Sequence, residues 1–318
     1  MSGLQKIAKD TALLTAAAVV FALRSRRWPL PPPDVPTALS STEVRVKALE
    51  RKAEPLELGT LAVASDVVAI VCGVDDSTAG RYETRNDALR SVMRSRSLTK
   101  EDAAALLDYL ASTNDAMRVE RVAALKNDVM NLLRRQETPV AGLAETLIGM
   151  FDGGAHPPAV LDYCVQHLGL MQGGIRDGAL RARVHAVLVK ATRRKNMPYA
   201  GTALYSLAAD RRATPQQLEE LKRLTLALCA ADANTAARIA AIQLAGERGY
   251  GEALPVLRRE LSAPRRNAAL DIVAIGSIGL LGDSSDIPQL SRFINSDSRR
   301  ASAAGTAIRR INERSGVK

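Results

Sequence analysis

The sequence predicts an all-α chain, an α-solenoid of antiparallel helix pairs, on three observations. The C-terminal end repeats: AGERGYGEALPVLRREL (Ala245–Leu261) is followed by IGLLGDSSDIPQLSRFI (Ile278–Ile294). Gly249 pairs with Gly282, Pro255 with Pro288, Leu257 with Leu290, Arg266 with Arg299 and Ala268 with Ala301, each at an offset of 33. A period of this length marks stacked helix pairs. Helix signals also follow one another from Gly80 onward with no alternation of strand and helix, which argues against a parallel sheet. Finally, aromatics make up only 3% of the chain while alanine and leucine dominate. That suits helices packed closely through small side chains.

Four segments are expected. Residues 1–28 hold an uncharged run, Thr11–Leu23, preceded by Lys6 and Lys9 and followed by Arg24, Arg26 and Arg27. Thirteen helical residues span only ~20 Å, short of the ~30 Å core of a bilayer. An export signal, a short interfacial helix touching a membrane through residues 11–27, and a helix buried in its own protein all remain open. The first two place the protein at the cell envelope, the third in the cytoplasm. Residues 29–42 carry Pro29, Pro31, Pro32, Pro33 and Pro36, a stiff extended linker. Residues 43–160 form an N-terminal helical region, and residues 161–318 hold the C-terminal repeats.

Within the third segment, Leu61, Ala64, Val68 and Cys72 fall at helical spacing with Gly73 as a stop. The β-branched Val67, Val68, Ile70 and Val71 also allow a strand there; helix is preferred. Tyr82, Arg85, Leu89 and Val92 share a helical face. Thr99 and Asp102 resemble a capping box, and Leu106, Leu107 and Leu110 follow it. Val119, Val122, Ala123, Val129, Leu132 and Leu133 mark the next helix. Thr138–Pro139 and Thr214–Pro215 read as an N-cap with proline at the first helical position, and Pro157 and Pro198 stand at similar starts. Gly153–Gly154 and Gly173–Gly174 read as stops. Some fourteen short helices are expected after the linker.

The repeat resembles the HEAT family, most closely the short variant of phycobilisome-lyase-like proteins. That pattern is an arginine-led first helix rich in alanine, a Gly-Asp turn, and a second helix opened by a small or apolar residue and proline. Here Gly282–Asp283 is the turn, Ile287–Pro288 opens the second helix, and Leu290 and Ile294 face inward. The earlier copy has Gly249–Tyr250, without the aspartate. The resemblance covers about residues 234–315 and implies a curved right-handed superhelix, an armadillo-type fold; of activity it implies little.

The net charge of +10 is uneven: nine Lys/Arg against six acids in residues 1–60, eleven against fourteen in 61–160, and twenty-four against fourteen in 161–318. The basic excess shares the half that repeats. Basic pairs recur there: Arg193–Arg194, Arg211–Arg212, Arg258–Arg259, Arg265–Arg266 and Arg299–Arg300. Equivalent positions line up along one edge of a solenoid. Such a ladder would grip acidic protein segments or phosphates. Alternatively, one arginine of each pair bonds the adjacent repeat.

No constellation reaches a named chemistry. Cys164 and His167 stand three apart, as a thiolate and its base would, yet Cys164 falls among Leu161, Val165 and Leu168 as a core residue does. Cys72 and Cys229 read likewise as buried apolar residues. His156, His167 and His185 form no metal-ligand spacing, and no glycine-rich phosphate loop occurs. Gly276, Gly279 and Gly282 read as close helix packing. No cofactor or metal is therefore expected. The expected function is a non-enzymatic scaffold that binds an unidentified, acidic protein partner. Nucleic-acid or other polyanion binding through the basic half is the alternative, disfavoured by the scarcity of aromatics for stacking bases. An enzyme of unknown type ranks third.

Overall fold

A computed structural model describes residues 65–74, 76–94, 98–137, 140–230, 232–263 and 267–316. The expected N-terminal segment, the linker, Leu61 and Ala64, Thr138–Pro139 and Arg265–Arg266 lie outside the described residues. The described residues belong to one packed unit. They form fifteen α-helices and no strand.

In order these are α1 (Asp66–Cys72), α2 (Asp76–Ala79), α3 (Tyr82–Arg94), α4 (Lys100–Ala111), α5 (Val119–Arg134), α6 (Leu143–Gly153), α7 (Pro158–Met171) and α8 (Gly178–Arg193). Then follow α9 (Tyr199–Ala208), α10 (Pro215–Ala230), α11 (Thr235–Glu247), α12 (Leu254–Ser262), α13 (Ala268–Leu281), α14 (Ile287–Ser291) and α15 (Ser298–Ser315). Among the described residues no helix is long and apolar enough to cross a membrane.

Packing runs between near neighbours in sequence. The odd helices α3, α5, α7, α9, α11, α13 and α15 each pack on the next odd helix. The even helices α6, α8, α10, α12 and α14 each pack on the odd helix that follows. A small residue sits at four consecutive odd-helix contacts. A methyl on Gly169 of α7 would run into Ser206 of α9, and one on Gly201 of α9 would lie 3.0 Å from Ala240 of α11. Likewise a methyl on Gly246 of α11 would lie 2.7 Å from Ser277 Oγ, and one on Gly279 of α13 would lie 2.7 Å from Ala307 Cα. Backbones can come this close only where a side chain is missing or short. Ser277 uses the proximity to donate to Ile242 O across the interface, at 2.8 Å.

The 33-residue period is present as structure. Asn234 caps α11 and Asn267 caps α13, each side chain accepting from the amide two residues on. A 3₁₀ turn at Gly251–Ala253 leads into α12, and one at Ser284–Asp286 leads into α14, each helix carrying proline in its first turn. The two turns solve the corner differently. Asp283 accepts from Ser285 N while Asp286 accepts from Asp283 N, a reciprocal cap. The earlier copy lacks that aspartate and turns on Gly249 instead, at φ +73°.

Three expectations are corrected. Leu257 and Leu290 are fully buried, but Ile294 is 43% exposed. The reason is that α14 ends at Ser291, so the chain leaves helical register and Phe293 fills the inward position, 1% exposed. α6 starts at Leu143 with Gly142 as N-cap at φ +85°, later than the Thr138–Pro139 signal placed it. Of the three spaced glycines only Gly279 makes the close helix contact. Gly276 has open space around its Cα, and Gly282 follows the end of α13.

The two interior glycines of α13 make a paired test. Gly279→Ala is expected to destabilise by about 1–3 kcal/mol, because the new methyl overlaps Ala307. Gly276→Ala is expected to be neutral or stabilising by up to about 1 kcal/mol, from helix propensity alone. Chemical denaturation of the two variants checks this.

Candidate functional site

The structure sorts the arginines into two groups, and only one of them is available to a ligand. Consecutive helical residues point ~100° apart, and in the pairs Arg258–Arg259 and Arg299–Arg300 one member reaches a neighbouring helix while the other faces solvent.

Arg258 of α12 is the inward member of its pair. Its Nε and Nη2 donate to both carboxylate oxygens of Asp286, at 2.7 and 3.0 Å, and Asp286 is 3% exposed. Arg258, its side chain still 39% exposed, therefore joins one helix pair to the next. Arg300 of α15 does the same, donating to buried Asp271 of α13 at 2.9 Å and to Asp297. Arg194 donates to Tyr199 Oη at 3.2 Å and lies over the Phe151 ring. Arg212 donates to Ile175 O at 3.1 Å, and Arg211 is also partnered. Arg193 pairs with Glu220 on the surface at 3.1 Å. Two more arginines hold helix ends: Arg248 donates to Ala208 O at 2.6 Å, and Arg314 to Gly279 O and Gly282 O at 2.8 and 2.6 Å. A guanidinium at the C-terminal end of a helix satisfies orphan carbonyls and suits the dipole.

Arg259 and Arg299 are exposed, and neither makes a hydrogen bond or ion pair among the described residues. Arg259 lies in a shallow open groove between α12 and α14, lined also by Arg258, Ser262, Pro288, Gln289 and Arg292. Arg292 is exposed and unpaired in the same sense. It stands 33 residues after Arg259, so the two are equivalent positions in successive repeats. Arg292 was legible from that offset, yet basic pairs alone do not find it, because its neighbours are Ser291 and Phe293. The groove floor is fixed. Gln289 Nε2 donates to Arg258 O and to Ser262 Oγ, both at 2.9 Å, and Ser262 Oγ donates to Arg258 O at 3.1 Å.

The Cys164–His167 pair is not a nucleophile with its base. Cys164 is fully buried in α7, and burial pushes its thiol up to about 12. His167 is 1% exposed, and its Nε2 lies 3.2 Å from Asn127 Oδ1. Burial, with smaller contributions from Arg134 and Arg135, holds its imidazole down at about 4. Cys72 and Cys229 are likewise raised to about 12 by burial. The other histidines sit elsewhere: His156 is buried before α7, and His185 lies 3.7 Å from Glu220.

Sequence reasoning missed one buried polar cluster. Arg85, 1% exposed, donates to Val71 O, to Ala79 O and to both oxygens of Asp115, at 2.8–3.1 Å. Tyr109 Oη donates to the same carboxylate at 3.1 Å. Lys126, 2% exposed, donates to Leu110 O at 2.8 Å and to Ser112 O, while burial pulls its amine down to about 8. These bonds tie α1, α2 and the α4–α5 loop to α3 and α5. Helical spacing put Arg85 on the face of Leu89 and Val92, but no sequence signal points to Asp115 as its partner or to the burial of Lys126.

No protein-family model matches the chain, and a search of the curated proteins finds no significant match.

Two predictions follow from this sorting. Arg258→Gln leaves the Asp286 carboxylate buried without its cation. With partial solvent access to Arg258 discounted, the expected loss is about 1–3 kcal/mol. Arg259→Gln is expected to lie within about 0.5 kcal/mol of the parent; thermal melts compare them. His167 gives a pH signature. The folded chain takes up its proton only near pH 4, and the unfolded chain does so near 6.5. Its stabilising contribution is therefore complete above pH 6.5 and is lost as pH falls from 6.5 toward 4, by about 3 kcal/mol. His167→Gln should flatten that part of the stability–pH curve, leaving the slope due to His156, whose pKa burial also lowers, and to the carboxylates.

Proposed function

We propose that the chain is a HEAT-like α-solenoid acting as a non-enzymatic protein-binding scaffold, and that it engages an acidic partner through the α12–α14 groove. The solenoid reading is supported by odd helices that pack in succession and by caps and 3₁₀ corners that recur at the 33-residue offset. The binding reading is carried by one observation. Arg259 and Arg292 line a single groove at equivalent repeat positions without a counter-ion among the described residues, while Arg258 beside them is paired with Asp286. Unpaired guanidiniums are strong recognition groups for carboxylates, because their planar fork matches the two oxygens.

Polyanion binding by nucleic acid is the lesser reading. The groove has no aromatic side chain on which a base would stack. Catalysis has no observation in its favour, since the thiol–imidazole pair is buried.

Fluorescence anisotropy with a labelled poly-glutamate peptide tests the proposal. Arg259→Glu with Arg292→Glu is expected to weaken binding by at least about tenfold while leaving the melting temperature unchanged. Arg309→Glu with Arg310→Glu, the same change of charge on α15, should leave binding nearly intact. An equal loss in both variants would reduce the effect to net charge and overturn the groove. Tighter binding of duplex DNA than of the peptide at equal ionic strength would favour the alternative.

A further inference from the structure

We propose that the α12–α14 groove recognises a phosphomonoester dianion, presented as a phosphorylated side chain of the protein partner. The inference rests on the acidic-partner reading above and narrows it from acidity in general to one group.

The argument is a count of donors, acceptors and charges. The groove floor offers a ligand little. Both N–H groups of Gln289 are taken, by Arg258 O and Ser262 Oγ, and the Ser262 hydroxyl donates to Arg258 O. Pro288 has no N–H. Two of the Arg258 donors are spent on Asp286, whose carboxylate answers the charge of Arg258. Asp283, the other carboxylate acting on Arg258, accepts from Ser285 N at the corner before α14. What lines the opening without a counter-charge among the described residues is therefore the two guanidiniums of Arg259 and Arg292, beside the Arg258 N–H donors not spent on Asp286.

Such a site demands an acceptor-only ligand of charge near −2. A single carboxylate brings −1 and two oxygens, and leaves one guanidinium unanswered. A phosphomonoester carries about −1.5 to −2 at neutral pH and three strong acceptor oxygens. Two arginine forks can each take it in a bidentate manner. Gln289 adds rigidity: by bridging α14 to α12 it fixes the two helices that carry the arginines, so less ordering is left for the moment of binding.

The test uses the full chain with labelled arginine side chains, followed by NMR of the guanidinium Nε–H groups. Separate titrations use O-phosphoserine, inorganic phosphate and aspartate at equal ionic strength. The proposal expects saturable shifts of Arg259 and Arg292, with O-phosphoserine binding at least about tenfold tighter than aspartate. Arg259→Ala with Arg292→Ala should abolish the response without changing the melting temperature. Equal affinity for O-phosphoserine and aspartate, at these two arginines, would overturn the phosphate inference while leaving the acidic-partner reading standing. Shifts of other arginines in place of these two, or none at all, would overturn both. Inorganic phosphate binding at least as tightly as O-phosphoserine would contradict a phosphorylated side chain as the source.

Discussion

The close approach of successive odd helices is the constraint on which the rest of this structure depends. At Gly169, Gly201, Gly246 and Gly279 the neighbouring helix, through a small side chain or its backbone, stands where a side chain would begin. Helices brought this near bury their flanking apolar residues with little aromatic bulk, which accounts for a core dominated by leucine, valine, isoleucine and alanine. The same proximity puts helix ends within reach of one another. Arg248 and Arg314 then satisfy carbonyls at the ends of the preceding odd helices. Neither bond would form if a larger residue held the helices further apart.

The basic character of the C-terminal half follows from this geometry as much as from any ligand. Arg258 and Arg300 reach across to carboxylates that are almost wholly buried, so they act as mortar. A buried carboxylate without its guanidinium would be costly, which makes these arginines hard to exchange for lysine. Arg259, Arg292 and Arg299 answer to no such demand. Their charges face solvent in a protein that already carries +10. An uncompensated pair in one groove needs a reason other than stability, and an anionic partner supplies one.

Much of the fold was legible because it rests on local rules. The offset of 33 exposed the helix pairs, Thr214–Pro215 gave a true start, and Gly73 and Gly154 gave true stops. Failures came where tertiary packing decided. Ile294 sits at the offset of buried Leu261, but α14 is only five residues long, and Phe293 takes the place that periodicity assigned to it. Arg85 was legible on the face of Leu89 and Val92, but its partner was not, and Lys126 looks like a solvated charge, because Asp115 and the carbonyls that hold these residues are brought in by the fold. The candidate site was half legible. The basic pairs pointed to Arg259 and Arg299, but which member of a pair faces a neighbour depends on helix rotation, which sequence does not specify.

The central claim is that each helix pair is held mainly by its neighbours. Native-state hydrogen exchange on Leu290→Ala tests it most directly. A void at this fully buried position should cost about 2–5 kcal/mol. In a stack with nearest-neighbour coupling, the lost protection should be confined to α13–α15 and fade through α11, with α3–α7 unchanged. Loss of protection by the same amount in α3–α7 would show one cooperative globular core, and would contradict the account.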